Sequence, residues 1–199
     1  MPFASHVLFL SGRGGSVASS PGDLVAAHPW PVPLLAPELD EAWCVQPFAQ
    51  QLSQVQGWLE GAALAVGYSY GAWLLLAAAE ERARGVAEPL PTEPGLLLLS
   101  PILGELGQLR GLLQRAPRAV RLRTSLGLGE AEPEGWLGGV RFLFGDDDPL
   151  VRPAEVARLA GRGLEVECVA AGHDLAEPAG RRAVVRCLER AGREIRTAR

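Results

Sequence analysis

Lysine and asparagine are absent from this 199-residue chain, and all 19 of its basic residues are arginine. The missing lysine removes whole classes of chemistry. There is no Walker-type phosphate lysine, no lysine for a pyridoxal Schiff base and no kinase lysine. We read both absences as GC-biased coding. Cysteine is scarce too. Cys44, Cys168 and Cys187 are an odd number with no metal-binding spacing, which points to reduced thiols and a cytoplasmic protein. No apolar run reaches the length of a membrane span. The first residues, Met1 to Ser5, lead straight into apolar sequence without a basic region or a cleavage site, so no signal peptide is expected. An excess of positive charge is lacking as well. The formal net charge of −4 gives no reason to expect nucleic acid as a partner.

What is present is apolar sequence cut into short pieces. Hydrophobic residues make up 48% of the chain, and its length suits one well-buried core. Strands are expected at 6–10, 32–37, 62–66, 95–100, 140–144 and 164–169, alternating with helical stretches. Among the latter, 48–60 carries Phe48, Leu52, Val55 and Leu59 on one face, with Pro47 near its start. Pro33 cannot donate a ladder hydrogen bond, so the 32–37 strand belongs at a sheet edge. The strands are mostly continuous apolar runs, which predicts a largely parallel sheet of about six strands covered on both faces, a three-layer α/β sandwich. Right-handed crossovers then bring the loops after the strand C-termini to one edge, where ligands bind in open α/β sheets. Residues 104–138 are the least regular part of a chain otherwise read as one domain.

The chain is organised around 62–82. An apolar strand runs into Gly67-Tyr68-Ser69-Tyr70-Gly71, and an Ala- and Leu-rich helix follows. Strand, sharp turn and helix with a serine at the turn is the context of a nucleophile elbow, in which the hydroxyl projects above the sheet. The glycines on either side leave room where the two backbones approach. The bland alternative is a serine that merely caps an ordinary helix.

A serine hydroxyl needs a base in hydrogen-bond reach and a carboxylate to orient that base. The chain has three histidines. His6 stands at the wrong end of its strand. His28 lies in a loop leading to the edge strand. His173 directly follows a strand, in a Gly-His-Asp turn, and is the candidate base. Asp146, Asp147 and Asp148 also follow a strand and share the same edge. The glycine-rich Ser11-Gly-Arg-Gly-Gly-Ser16 suggests a phosphate cradle, but the third glycine of a dinucleotide fingerprint falls on Val17, so a dinucleotide-binding protein is a distant reading.

Taken together, Leu10 to Ser16, Leu34 to Leu39, Gly67 to Gly71, Gly145 to Val151 and Gly172 to Asp174 resemble a compact member of the α/β-hydrolase superfamily, in that family's order of nucleophile, acid and histidine. The resemblance implies a serine hydrolase with Ser69, Asp148 and His173 as its triad, because Gly145 and Val151 frame the family's acid turn. Asp146 or Asp147 replaces Asp148 if the turn is read differently. It also implies main-chain oxyanion donors at Arg13 and Tyr70, although Ser11-Gly12 stands where family members often have His-Gly. Tyr68 and Tyr70 are placed near the pocket floor, with Tyr68 a candidate substrate contact. Residues 104–138 fall where the family inserts caps, and leave room for a small one at most. Arg110, Arg115, Arg118, Arg121 and Arg123 in that stretch are read as a solvated face, or else as contacts to an anionic substrate. The implied reaction is cleavage of a carboxylic ester, or of a thioester or lactone, with no metal and no organic cofactor. The alternative from another class is a binding protein of the same fold that has lost activity. The substrate itself and the oligomeric state are not legible in the sequence.

Overall fold

Each central strand places successive side chains on opposite faces, and both faces are apolar. Leu8 and Leu10 of β1 (His6–Leu10) enter one core while Val7 and Phe9 enter the other. Leu96 and Leu98 divide from Leu97 and Leu99 in β4 (Gly95–Leu99), and Phe142 and Phe144 from Leu143 in β5 (Val140–Gly145), in the same way. This is why the strands read as unbroken apolar runs. The computed structural model describes residues 5–85, 95–102, 139–161 and 164–198. The expected cap at 104–138 and its arginines therefore lie outside the described residues, as does most of the proline-rich stretch at 88–95.

The remaining elements are α1 (Gly22–Ala27), β2 (Leu34–Leu35), α2 (Glu41–Cys44), α3 (Phe48–Leu59), β3 (Ala62–Tyr68), α4 (Tyr70–Gly85), α5 (Pro153–Ala160), β6 (Glu165–Val169) and α6 (Pro178–Thr197). Six strands form one sheet in the order β2-β1-β3-β4-β5-β6, and every neighbouring pair is parallel. One core holds residues of α2, α3, α4 and α5; the other holds residues of α1 and α6. No helix among the described residues is long and apolar enough to cross a membrane.

The expected edge strand is in place but reduced to Leu34 and Leu35. Pro33 contributes only its carbonyl, which accepts from the Val7 N–H at 2.9 Å, and Pro37 closes the stretch from the other side. The short helix α2 was not foreseen. Asp40 caps it by accepting from the Trp43 N–H at 2.7 Å. The opposite edge is charged. Arg141 of β5 and Glu165 of β6 interlock with Arg190 and Glu194 of α6. Charge on an edge strand discourages pairing with another chain.

Candidate active site

The site is assembled by glycines that let backbones touch. A β-carbon on Gly67 would lie 2.5 Å from the Ala72 Cα, and one on Gly71 would lie 2.3 Å from the Leu10 carbonyl oxygen. The end of β3, the first turn of α4 and the end of β1 are thus drawn together around Ser69. Ser69 takes φ of 51°, the left-handed region that side chains avoid. Its N–H donates to the Leu99 carbonyl at 2.9 Å, and its own carbonyl accepts from Trp73 at 3.1 Å, beginning the helix. The strained residue is therefore held from both sides.

His173 arrives on the loop after β6. That loop is pinned at several points. Glu177 accepts from the Gly172 N–H at 3.1 Å, and Ser20 donates its hydroxyl to the Asp174 carbonyl at 2.9 Å. A β-carbon on Gly145 would lie 2.2 Å from the Ala171 carbonyl oxygen, so the turn after β5 packs directly on the same loop. Asp148 on that turn is 4% exposed. Its Oδ1 accepts from the Leu150 N–H at 2.8 Å, and its Oδ2 lies 2.7 Å from the His173 Nδ1. The other ring nitrogen, Nε2, lies 2.8 Å from the Ser69 Oγ. An ionised carboxylate only accepts, so Nδ1 carries the proton and Nε2 is left to accept from the serine hydroxyl. Residues from three separate loops, up to 104 positions apart, form one hydrogen-bonded line.

Solved structures show the same architecture. The α/β hydrolase MGS-MChE2, from the metagenome of lagoon sediments at Mar Chica, Morocco, is 18% identical and superposes with a TM-score of 0.62 over 96% of this chain and 91% of its own. Acyl-protein thioesterase 2 of Zea mays is 17% identical, with a TM-score of 0.55 over 96% of this chain and 95% of its own. The type II thioesterase BorB of the borrelidin biosynthetic cluster is 21% identical, with a TM-score of 0.54 over 97% of this chain and 93% of its own. The chain has the α/β-hydrolase fold. No protein-family model matches the chain, and no curated protein matches it. At such identities the likeness speaks for architecture, and function has to be argued from the site.

Within this α/β-hydrolase fold the other candidates separate cleanly. Asp146 and Asp147 are exposed and turned to the histidine loop's backbone. The Asp146 Oδ1 accepts from the Ala171 N–H at 3.2 Å, and the Asp147 N–H donates to the Ala171 carbonyl at 3.1 Å. Neither carboxylate is paired with His173. His6 donates its Nε2–H to the Trp58 carbonyl at 2.9 Å, and His28 packs against Trp30 and over Gly192. Burial holds the His28 imidazole below its ordinary pKa, with Arg196 adding to the effect.

On the glycine-rich loop, the Gly14 N–H donates to Leu39 at 3.2 Å and the Gly15 N–H to Gly12 at 2.9 Å, which occupies both donors. Arg13, directly before these two glycines, is exposed, and a β-carbon on Gly12 would sit 3.5 Å from that of Ser69. Tyr70 is the first residue of α4, so its N–H has no acceptor within the helix. The two tyrosines diverge, which corrects their expected shared place at the pocket floor. The Tyr68 ring lies 5.4 Å from the His173 ring and stays near the site. The Tyr70 ring turns into the core, stacks on Trp73 and donates its hydroxyl to Gln51 at 2.7 Å. Burial pushes both phenols up to about 12.

Three participants were missed in the sequence. Glu177 orders the histidine loop, Gln51 meets Tyr70 from α3, and Ser100, just past β4, has φ of 41° and a buried hydroxyl with no partner among the described residues. None belongs to a motif. For Ser100, its place just past an apolar strand on the ligand edge was the one available signal.

Among the described residues, no group of three or more His, Cys, Asp or Glu side chains is arranged to hold a metal ion.

Proposed function

We propose that this protein is a serine hydrolase that cleaves carboxylic esters, or related thioesters and lactones, through an acyl-enzyme. The observation that carries this reading is the hydrogen-bonded line from Ser69 through His173 to the buried Asp148. A serine in such a line can lose its proton to Nε2 as its Oγ attacks a carbonyl carbon. The imidazolium that forms is stabilised by Asp148, which also holds Nδ1 protonated beforehand. The oxyanion of the tetrahedral intermediate is received by the main-chain N–H groups of Arg13 and Tyr70, two donors worth several kcal/mol of barrier. As that intermediate collapses, His173 returns the proton to the leaving alcohol or thiol. Water then attacks the acyl-enzyme, giving its proton to Nε2, and the acid departs as Ser69 is regenerated. In this reading Tyr68, half-buried and with its ring 5.4 Å from that of His173, contacts the acyl group.

The test is intact mass after incubation with a fluorophosphonate, comparing wild type with Ser69→Ala. The expected result is a single adduct on wild type, absent from the variant, together with turnover of p-nitrophenyl acetate. No adduct on folded wild type would overturn the reading in favour of a binding protein with an inactive site.

A further inference from the structure

We propose that Gln51 is a positioning residue for the oxyanion hole, acting through a hydrogen-bonded chain that ties the two donor residues together from behind. The inference rests on the reading of Arg13 and Tyr70 as oxyanion donors.

The two donors sit on segments far apart in sequence, and their separation decides whether both reach one oxygen. On the front side it is limited by Gly71, whose α-carbon lies against the Leu10 and Ser11 carbonyls. Behind the site runs a second connection. The Tyr70 hydroxyl donates to the Gln51 Oε1 at 2.7 Å. The Gln51 Nε2 donates to the Cys44 carbonyl at 3.1 Å and to the Gln46 carbonyl at 2.9 Å. The Cys44 thiol donates to the Leu39 carbonyl at 3.3 Å, and the same oxygen accepts from the Gly14 N–H at 3.2 Å. Gly14 is the neighbour of Arg13 and takes φ of 65°. The path thus leaves one donor residue and ends beside the other, crossing α3 and α2 on the way.

The chemistry of each link is unambiguous. The two carbonyls beside Nε2 can only accept, which fixes the orientation of the amide and leaves Oε1 for the phenol. Gln51 is 2% exposed, so its amide is costly to bury unless all of these bonds form. Packing alone does not call for it. The neighbouring buried positions of α3, Leu52, Val55 and Leu59, are apolar. A side chain that uses both amide hydrogens and its oxygen to join three segments specifies their spacing. It holds the C-terminal side of α2, while Asp40 caps the other end of that four-residue helix.

Two variants test this. Gln51→Met keeps the length and apolar bulk but removes every link. Tyr70→Phe removes only the phenol's hydroxyl and leaves the main-chain donor intact. Each is assayed on the fraction titrated by fluorophosphonate, with p-nitrophenyl acetate as substrate and an aryl trifluoromethyl ketone as an oxyanion-forming inhibitor. We expect kcat to fall roughly ten- to a hundredfold with KM nearly unchanged, since misplaced donors act only on the transition state. The inhibitor's Ki should rise by a similar factor, and the double variant should be no worse than the weaker single. A role confined to stability would lower Tm and leave kcat and Ki of the titrated protein unchanged. That outcome in Tyr70→Phe, the milder change, overturns the proposal even if Gln51→Met does not fold, while labelling and turnover of wild type leave the hydrolase reading standing. A wild type that neither labels nor turns over overturns both.

Discussion

Replacing Gly71 with alanine probes the closest backbone approach in the site. The added carbon would lie 2.3 Å from the Leu10 carbonyl oxygen and 2.4 Å from that of Ser11, where ordinary contact begins at 3.4 Å. The first turn of α4 must therefore move away from β1 by about 1 Å, an overpacking strain of the kind that costs ~1–3 kcal/mol. Both obstacles are main-chain atoms that cannot rotate aside, so the upper end, about 3 kcal/mol, is the better figure. For a chain of this length each kcal/mol shifts Tm by ~2–4 °C, and the variant should melt about 6–12 °C below wild type. The same displacement moves Ser69 and the Tyr70 N–H relative to the glycine-rich loop. A shift of about 1 Å in reacting groups can lower turnover roughly a hundredfold. Thermal unfolding followed by circular dichroism reads the first effect, and p-nitrophenyl acetate hydrolysis per titrated site reads the second. Gly57→Ala is the control. Gly57 is exposed in the last turn of α3 with nothing within 4 Å of its would-be β-carbon. Alanine there should stabilise by ~0.5–1 kcal/mol through helix propensity and leave turnover unchanged. A Gly71→Ala protein that melts and turns over like wild type would refute the argument that this contact sets the geometry of the site.

Further outcomes follow from the same structure. Asp148→Asn should lower kcat by about ten thousandfold, because an amide no longer enforces the Nδ1–H tautomer of His173, while Asp147→Asn should stay close to wild type in steady-state assays. Asp146→Asn should instead lower Tm slightly, since a neutral amide oxygen replaces the carboxylate that accepts from the histidine loop. Both tyrosines of the chain sit in sites that push their phenols up to about 12. Between pH 10 and 12 the folded chain keeps protons that the unfolded chain has released, so this contribution to stability is complete below pH 10 and declines as the pH rises through that window. Ultraviolet titration should accordingly show no phenolate step near pH 10 in the native protein, and a step there in denaturant. Iodoacetamide at about pH 8 should alkylate exposed Cys168 first and Cys187 last, because burial pushes the Cys187 thiol up to about 11, and peptide mapping gives the order.

The line Ser69–His173–Asp148 was legible in the sequence because each of its members follows a strand C-terminus, and a parallel sheet gathers those ends on one edge. Gln51 was not legible for the opposite reason. It sits in a helix with three other glutamines, Gln50, Gln54 and Gln56, and just after Gln46, and nothing local distinguishes the one that is buried. The acid turn shows both limits. Glycine and valine framed it, but three aspartates in a row differ only in where the turn points them, and that depends on contact with the histidine loop. Helix α2 was invisible to periodicity because four residues carry none.

What the sequence determined by itself was the architecture and the candidate residues that this architecture brings together. Continuous apolar strands required burial on both faces, Pro33 required an edge, and the absence of lysine removed several chemistries before any fold was considered. Tertiary structure alone decided which way side chains next to one another would face. Tyr68 and Tyr70 are two residues apart, yet one stands near His173 and the other is locked to Gln51 in the core. The physical reason is the turn between them. Ser69 in the left-handed region changes the direction of the backbone, so the pattern of the strand no longer holds for the residue that begins the helix.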